Sequence, residues 1–161
     1  MPEIIVIAHN IRSTHNIGAI FRSCEGFGVS KIIISGYSPY PKIANDTRLP
    51  HIYEKITDQI HKTALGAETM VPFEYQNYPN LDLLKENGFK IVGLEQDKRS
   101  IMLKDYVIPN KVALLLGEEV YGITNELRDK CEDLIEIPMV GKKESFNVSV
   151  AAGIALYALS I

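Results

Sequence analysis

Arg22 is the residue of this sequence whose type and surroundings most clearly indicate a chemical role. It lies within HNIGAIFRSCEGFG (residues 15–28), where apolar side chains recur at helical spacing and predict an amphipathic helix: Ile17, Ile20, Phe21, Cys24 and Phe27. Arg22 lies off this stripe, and its helical neighbours at i−4, i−3 and i+4 are Gly18, Ala19 and Gly26. Because each interior glycine costs a helix up to about 1 kcal/mol relative to alanine, we expect another group to approach the guanidinium closely.

Two simpler interpretations of this helix stay open from the residues alone. Arg22 could form a surface ion pair with Glu25, three residues further along, and such pairs are common and contribute little to stability. Asn16 stands near the predicted start of the helix, where an asparagine commonly caps the first backbone N–H groups. The segment therefore indicates a site of close approach without identifying what approaches.

Apolar runs typical of strands alternate with helical patterns along the chain, which predicts an α/β doubly wound fold. Most of these runs are continuously apolar, so we expect a mainly parallel sheet covered by helices on both faces. The predicted strands span residues 3–9, 31–36, 69–75, 89–95, 111–117 and 133–138. The predicted helices span residues 16–27, 52–65, 80–87, 124–131 and 147–160. Pro72 favours an edge position for the third strand.

Three loops directly follow predicted strands, at the carboxyl ends where open α/β sheets bind ligands. They are GEEVYG (117–122), IPMVGKKESFN (137–147) and SGYSPYP (35–41). The chain contains no G-x-G-x-x-G motif, no P-loop and no G-x-S-x-G motif, which argues against a Rossmann dinucleotide site, a P-loop NTPase and an α/β-hydrolase. A ligand at this edge must therefore be bound by a motif other than these three.

The composition is typical of one globular domain spanning residues 1–161, with 46% hydrophobic and 23% charged residues. No apolar run is long enough to cross a membrane and no signal peptide is visible, so we expect a cytoplasmic protein. Cys24 and Cys131 are expected to be free thiols, and the histidines show no zinc-ligand spacing with them, which predicts no metal site. Because the net charge is −3, any contact with nucleic acid would need a local basic patch.

The last predicted helix, in NVSVAAGIALYALSI (147–161), is apolar on nearly all sides. Such a helix must be buried, and in a chain of this length the cover is expected to include a second copy of the chain. We therefore predict a homodimer. Burial wholly within one subunit is the alternative.

Three segments together resemble the motifs of the SpoU (TrmH-like) family of RNA 2′-O-ribose methyltransferases, in the SPOUT superfamily. In the first, NIGAIFRSCEGFG, the family's asparagine and arginine positions hold Asn16 and Arg22. In the second, LLLGEEVYG, a G-x-E-x-x-G core is matched by Gly117, Glu119 and Gly122. In the third, IPMVGKKESFNVSVAAGIALY, the matching positions are Pro138, Gly141, Ser145, Asn147 and Ser149. The motifs occur in the family's order, and the resemblance covers nearly the whole chain.

The resemblance implies both a fold and a cofactor site. The expected fold is an α/β knot, a deep trefoil in which the C-terminal segment is threaded through a loop. S-adenosyl-L-methionine (SAM) would bind in the loops of the second and third motifs, largely through backbone groups. The implied cofactor residues are Leu116, Gly117, Glu119, Gly122, Ile137, Met139, Ser145 and Asn147. The resemblance also implies a homodimer whose active site is completed across the interface.

The implied reaction is methylation of a ribose 2′-hydroxyl in structured RNA, with tRNA favoured over rRNA. The implied catalytic residues are Arg22, Asn16, Glu119 and Asn147. Arg22 is the base proposed for the family, but a guanidinium keeps its proton in proteins, so anchoring the target phosphate and ribose is at least as good a role. Asn16 would orient Arg22. The expected RNA contacts are Arg12, His15, Arg22, Lys142 and Lys143, with Lys42 and Arg48 as further candidates.

No accessory RNA-binding domain is expected, so loops of the catalytic domain would hold the RNA. Tyr37 and Tyr40 could stack a base or only pack their own loop. Phe146, Glu118 and Val120 depart from residues common in the family, which bears more on the substrate than on the chemistry. Two other functions stay open: a non-catalytic RNA-binding or assembly dimer that retains the knot, and a methyltransferase for a non-RNA substrate.

Overall fold

The computed structural model describes residues 1–161 and contains one seven-stranded sheet in which neighbouring strands are parallel. The strands are β1 (Glu3–His9), β2 (Lys31–Ser35), β3 (Phe73–Gln76), β4 (Lys90–Leu94), β5 (Ile101–Met102), β6 (Lys111–Leu116) and β7 (Asp133–Glu136). Their order across the sheet is β3-β2-β1-β6-β4-β7-β5. The predicted α/β class and parallel sheet are confirmed, and β3 lies at an edge, as Pro72 favours.

Five α-helices accompany the sheet: α1 (Thr14–Gly26), α2 (Pro50–Ala64), α3 (Leu81–Glu86), α4 (Asn125–Lys130) and α5 (Val148–Ser160). Each corresponds to a predicted helix, with ends that differ by no more than two residues. The sequence did not indicate β5 or two short 3₁₀ helices (Ala67–Thr69 and Leu103–Asp105). Elements of two or three residues are too short to display a hydrophobic period.

Helices cover both faces of the sheet, as predicted. Alternate residues of β1 divide between two cores: Ile4, Val6 and Ala8 belong to a larger cluster, and Ile5 and Ile7 to a smaller one. The larger cluster includes buried residues of α1, α2 and α5, whereas the smaller includes those of α3 and α4. The period of two along a strand thus assigns each side chain to one face.

Helix α1 begins at Thr14 because Ser13 caps it. The Ser13 hydroxyl oxygen accepts the backbone N–H of Asn16 at 3.2 Å. The interpretation of Asn16 as the cap is therefore wrong, and its side chain is available for other contacts. The predicted apolar stripe of α1 is buried, with Phe27 half-buried at its end: Ile17, Ile20, Phe21 and Cys24.

Gly18 allows α1 to pack closely against α2. A Cβ at this position would overlap the Thr63 hydroxyl and the carbonyl oxygen of Ile60. The Thr63 hydroxyl also donates to the carbonyl oxygen of His15 at 2.8 Å. A neighbouring helix therefore occupies the space at Gly18, and the expectation that this glycine serves the close approach of another group to Arg22 is wrong. Gly26 is different, because a Cβ there would meet nothing within 4 Å.

Helix α5 packs beside α1 and buries one of its two apolar faces. The buried face consists of Ala152, Ala155, Leu156 and Leu159. On the other face, Val150, Ile154 and Tyr157 are 50%, 37% and 58% exposed. A single subunit therefore leaves part of the apolar surface of α5 uncovered. The knotted threading of this segment stays a prediction.

Candidate active site

A cavity of about 300 Å³ lies at the carboxyl ends of β4, β6 and β7, the edge at which an open α/β sheet binds ligands. The loop after β6 (residues 117–122) forms one wall. Residues 144–146 of the loop after β7 form another, and the first turn of α5 contributes Val148 and Ala151. Two of the three loops predicted to bind a ligand therefore meet here. The third, residues 35–41, does not line the cavity, because β1 separates β2 from the strands that carry it.

Six of the eight residues expected to bind the cofactor line this cavity: Leu116, Gly117, Glu119, Gly122, Ile137 and Ser145. Two do not. Met139 is half-buried outside the lining, and Asn147 precedes α5 as its N-terminal cap.

The loop after β6 folds back on itself so that its backbone forms the cavity wall. Glu118 and Gly122 exchange N–H···O bonds of 3.1 and 2.8 Å. Gly122 has a φ of +71°, which favours glycine. A Cβ at Gly117 would overlap the backbone of Gly122 and Ile123. Only glycine fits at both ends of this turn, which explains their spacing in the sequence.

Glu95 and Gln96 hold the two cavity loops in place, although neither was among the residues predicted from the sequence. The Glu95 carboxylate accepts the backbone N–H of Ile123 at 2.7 Å, and Gln96 Nε2 donates to the carbonyl oxygen of Glu144 at 2.9 Å. One signal could have found them: they lie at the carboxyl end of the predicted strand 89–95, where the same rule places ligands.

An ion-pair network supports this end of β4. Arg128 donates to the Asp97 carboxylate at 3.0 Å and to the carbonyl oxygen of Ile123 at 2.7 Å. Hydrogen bonds from the Arg99 side chain, its backbone N–H and Arg128 hold the pKa of Asp97 well below its usual range. Asp97 is therefore ionised, and the network links the segment after β4 to α4.

Glu119 ties the loop after β6 to the start of α1. Its carboxylate accepts the backbone N–H of Arg12 at 3.0 and 3.1 Å, the N–H of Ser13 at 3.2 Å and Nδ2 of Asn16 at 3.4 Å. Burial raises the pKa of Glu119, but the donors from Arg12, its own backbone, Ser13 and Asn16 outweigh burial, so the pKa lies below its ordinary value. An ionised carboxylate surrounded by donors positions the loop and is poorly placed to accept a proton.

Asn16 connects Glu119 with Asn147. Nδ2 of Asn147 donates to Oδ1 of Asn16 at 3.2 Å. Oδ1 of Asn147 in turn accepts the backbone N–H of Ser149 at 2.9 Å and so caps α5. Three of the four predicted catalytic residues therefore form one hydrogen-bonded chain beside the cavity. Arg22 is not part of this chain. Within one subunit the Asn16 amide contacts Glu119 and Asn147 and not Arg22, so the expectation that Asn16 orients the Arg22 of its own subunit is wrong.

Arg22 lines a second, open groove of about 620 Å³ between α1 and α2. The residues of this groove are Ala19, Arg22, Ser23, Gly26, Phe27, Lys62 and Thr63. None of them lines the first cavity. Arg22 takes part in no ion pair of the subunit, so the simpler interpretation, a surface pair with Glu25, is wrong.

The other basic residues expected to contact RNA differ in whether their side chains are exposed or already engaged in contacts within the subunit. Arg12, His15, Lys142 and Lys143 are exposed. Arg48 is occupied: it donates to Asp46 at 2.9 Å and to the carbonyl oxygen of Tyr40 at 2.9 Å. It also lies 3.6 Å from the centre of the Tyr40 ring. Arg48 therefore stabilises its own loop, which contradicts its candidacy as a free RNA contact.

The two tyrosines of the loop after β2 differ in their surroundings. Tyr40 stacks on Tyr75 with ring centres 4.2 Å apart, so it packs the loop. Tyr37 is 51% exposed, and the Arg12 guanidinium lies 5.5 Å from the centre of its ring. Lys42, the remaining candidate, lies 5.2 Å from the ring centre of Tyr53.

The structure contains neither a cluster of potential metal ligands nor a helix that could span a membrane. No group of three or more His, Cys, Asp and Glu side chains is arranged to hold a metal ion. None of the helices has the length and apolar composition needed to span a bilayer. The cysteines are free thiols, as predicted, and burial raises the pKa of Cys131 to about 11.

Comparison with known proteins matches nearly the whole chain to one family. The profile of the SpoU rRNA Methylase family matches residues 3–157. The 23S rRNA (guanosine-2′-O-)-methyltransferase RlmB of Coxiella burnetii is 31% identical over 158 residues, which are 97% of this chain and 57% of that protein. A tRNA (guanosine(18)-2′-O)-methyltransferase of Aquifex aeolicus is 34% identical over 155 residues, 96% of this chain and 67% of that protein.

A solved structure shows the same fold. The SpoU methyltransferase AviRb of Streptomyces viridochromogenes, in complex with the cofactor AdoMet, superposes with a TM-score of 0.79 at 24% identity. The match covers 98% of this chain and 57% of AviRb. The chain thus spans little more than half the length of the Coxiella and Streptomyces proteins.

Proposed function

The chain belongs to the SpoU rRNA methylase family, and from this membership we propose that it transfers the methyl group of SAM to a ribose 2′-hydroxyl of RNA. The observation that carries the proposal is the hydrogen-bonded chain of Glu119, Asn16 and Asn147, which lies beside a cavity at the carboxyl ends of three strands. All three residues come from the segments that resemble the family's motifs.

The cavity has properties that suit SAM. Its volume of about 300 Å³ is at the lower end of the range for small-molecule sites. The turn between Gly117 and Gly122, which lines the cavity, is closely packed, because a Cβ at Gly117 would overlap the backbone of Gly122 and Ile123. Several carboxylates line the cavity and no lysine or arginine does, which complements a cationic ligand: Glu95, Glu118, Glu119, Glu136 and Glu144. When bound, SAM supplies an electrophilic methyl group on a positively charged sulfur.

The residues beside the cavity act by positioning. Glu119 holds the loop after β6 against the start of α1, and Asn147 holds the start of α5, so each sets the place of one cavity wall. Asn16 couples the two walls because it donates to Glu119 and accepts from Asn147. Preorganised walls reduce the cost of bringing a hydroxyl and a methyl donor together.

We assign Arg22 the role of anchoring the RNA. A guanidinium keeps its proton and binds phosphate through two parallel N–H donors, which makes anchoring a better role than proton removal. Because Arg22 lies outside the cavity of its own subunit, it would act at the cavity of a second subunit. The exposed apolar face of α5, with Val150, Ile154 and Tyr157, supports a homodimer in which this exchange is possible.

Methyl transfer from labelled SAM to unmodified RNA tests the proposed function. Total tRNA and total rRNA lacking modifications are incubated separately with the protein and then digested to nucleosides. The expected result is a 2′-O-methylated nucleoside in one pool. We expect tRNA to be that pool, as favoured in the sequence analysis. A base-methylated nucleoside, or no transfer by protein that binds SAM, would overturn the proposal.

A further inference from the structure

We propose that Lys62, with Arg22, forms a binding site for one backbone phosphate of the RNA substrate. This inference rests on the proposed function and adds a residue that lies in none of the three motif segments. Both side chains line the open groove between α1 and α2, a separate surface from the cavity at the strand ends. The groove therefore contains a second cation in addition to the arginine of the first motif.

The charges in this groove are uncompensated. Neither Arg22 nor Lys62 belongs to any ion pair of the subunit, and no carboxylate lines the groove. Several basic residues elsewhere are neutralised by partners, among them Lys90 and Arg128. In a chain of net charge −3, a groove with two free cations and no acid is a local basic patch suited to an anion.

The position of Lys62 follows from the packing of α2 on α1. The hydroxyl of Thr63, the next residue, donates a hydrogen bond to the carbonyl oxygen of His15 at 2.8 Å. The absence of a Cβ at Gly18 leaves space for this hydroxyl. This contact holds the backbone of α2 against α1, so Lys62 reaches the groove from a rigid base. Ser23, on the wall formed by α1, adds a hydroxyl group to the same surface.

The shape and chemistry of the groove favour a phosphodiester. Two of the residues that line the groove, Ala19 and Gly26, are small and leave room for a ligand. A Cβ at Gly26 would meet no atom within 4 Å. A guanidinium supplies paired donors and an ammonium supplies a point charge, a combination that suits phosphate oxygens. The groove is open to solvent, which leaves it accessible to an RNA backbone.

The salt dependence of RNA binding separates this role from a structural one. A lysine in the last turn of a helix also interacts favourably with the helix dipole, and Lys62 lies in the last turn of α2. Removing that interaction would lower stability without changing the number of phosphates that the protein neutralises. Affinity for RNA falls with salt, so the slope of log affinity against log salt concentration is negative. Removing one phosphate contact makes this slope shallower by about 0.7–0.9.

The experiment compares the wild-type protein with K62Q, K62R and K55Q, using an unmodified tRNA transcript as the probe. Lys55 is the matched control, because it is an exposed lysine on the same helix that does not line the groove and forms no ion pair. We expect K62Q to make the slope shallower by about 0.7–0.9. K55Q and K62R should both keep the wild-type slope. SAM affinity should be equal in all four proteins.

A wild-type slope in K62Q would overturn the inference, as would equal reductions in K62Q and K55Q. The methyl-transfer assay distinguishes failure of the phosphate site from failure of the proposed function. If wild-type protein methylates RNA and K62Q keeps the wild-type slope, only the phosphate site is wrong. If wild-type protein binds SAM but methylates no RNA, the proposed function is wrong, whatever the slope of K62Q.

Discussion

Glu119 and Arg12 are separated by 107 residues, yet the carboxylate oxygens of Glu119 accept the backbone N–H of Arg12 at 3.0 and 3.1 Å. The contact joins the loop after β6 to the residues that lead into α1. This is possible because β1 and β6 are neighbours in the sheet, with Ala8 paired to Leu116 near their carboxyl ends. The loops that follow two adjacent parallel strands therefore start side by side.

The substitution Glu119→Gln should destabilise the protein. All the groups that surround the carboxylate are donors, so the amide would turn an N–H towards other N–H groups. We expect a decrease of roughly 1–3 kcal/mol in the free energy of unfolding, measured by urea denaturation, and weaker SAM binding. Glu25→Gln on the exposed side of α1 is the control and should change neither. Equal stability of the two variants would contradict the role of Glu119.

The stabilising effect of Glu119 should depend on pH in one direction. Its pKa in the folded protein lies below the ordinary value of 4.5, so the ionised form is favoured by folding. The contribution is then fully present above about pH 4.5 and disappears as the pH falls through the folded-state pKa. Unfolding free energies of wild type and Glu119→Gln should differ by a constant amount from about pH 6 to 8 and converge below about pH 4.5. A difference that grew at acidic pH would contradict the sign.

Arg22→Ala should abolish methyl transfer while leaving SAM affinity nearly intact. Arg22 lies outside the cavity, so its removal leaves the cofactor walls unchanged. We expect kcat to fall about 100-fold or more, as when one electrostatic anchor of a reacting group is removed. Arg22→Lys should recover only part of the activity, because an ammonium keeps the charge but not the paired donors. If calorimetry showed that Arg22→Ala no longer binds SAM, the residue would be structural.

Two glycines of α1 should respond in opposite ways to alanine. Gly18→Ala introduces a Cβ that overlaps Thr63 and the backbone of Ile60, so α1 and α2 must separate. We expect it to cost about 1–3 kcal/mol despite the better helix propensity of alanine. Gly26→Ala meets nothing and should be neutral or stabilising by up to about 1 kcal/mol. Urea denaturation of the two variants measures the contrast, and similar midpoints would contradict the packing role of Gly18.

The exposed face of α5 should control association. Ile154→Lys introduces a charge on the face that carries Val150 and Tyr157, and we expect it to convert a dimer into an 18.0-kDa monomer in sedimentation experiments. Methyl transfer should fall with the dimer, whereas SAM binding should persist. Leu83→Lys is the matched control: Leu83 is an exposed apolar residue of α3, on the other face of the sheet. A wild-type protein that sediments as a monomer would contradict the prediction.

Local patterns in the sequence were sufficient for most of the fold. The apolar stripe from Ile17 to Cys24 predicted the buried face of α1, and the continuous apolar runs predicted a parallel sheet covered on both sides. The same patterns misjudged the start of α1, because Ser13 and Asn16 are both good caps and only the backbone conformation chooses between them. They also missed β5, whose two residues pair with β7 and carry no period of their own.

Which residues matter could largely be read from the chain: the alternation of elements, the paired glycines of the loop after β6 and the resemblance of three segments to one family. Which of these residues meet depends on the folded arrangement. The fold brings Asn16, Glu119 and Asn147 into one hydrogen-bonded chain and places Arg22 in a different groove, together with Lys62. It also adds Glu95 to the cavity from outside the three segments. Hydrophobic periodicity and backbone sterics act over a few residues, whereas contacts across more than 100 residues are set by strand order and helix packing.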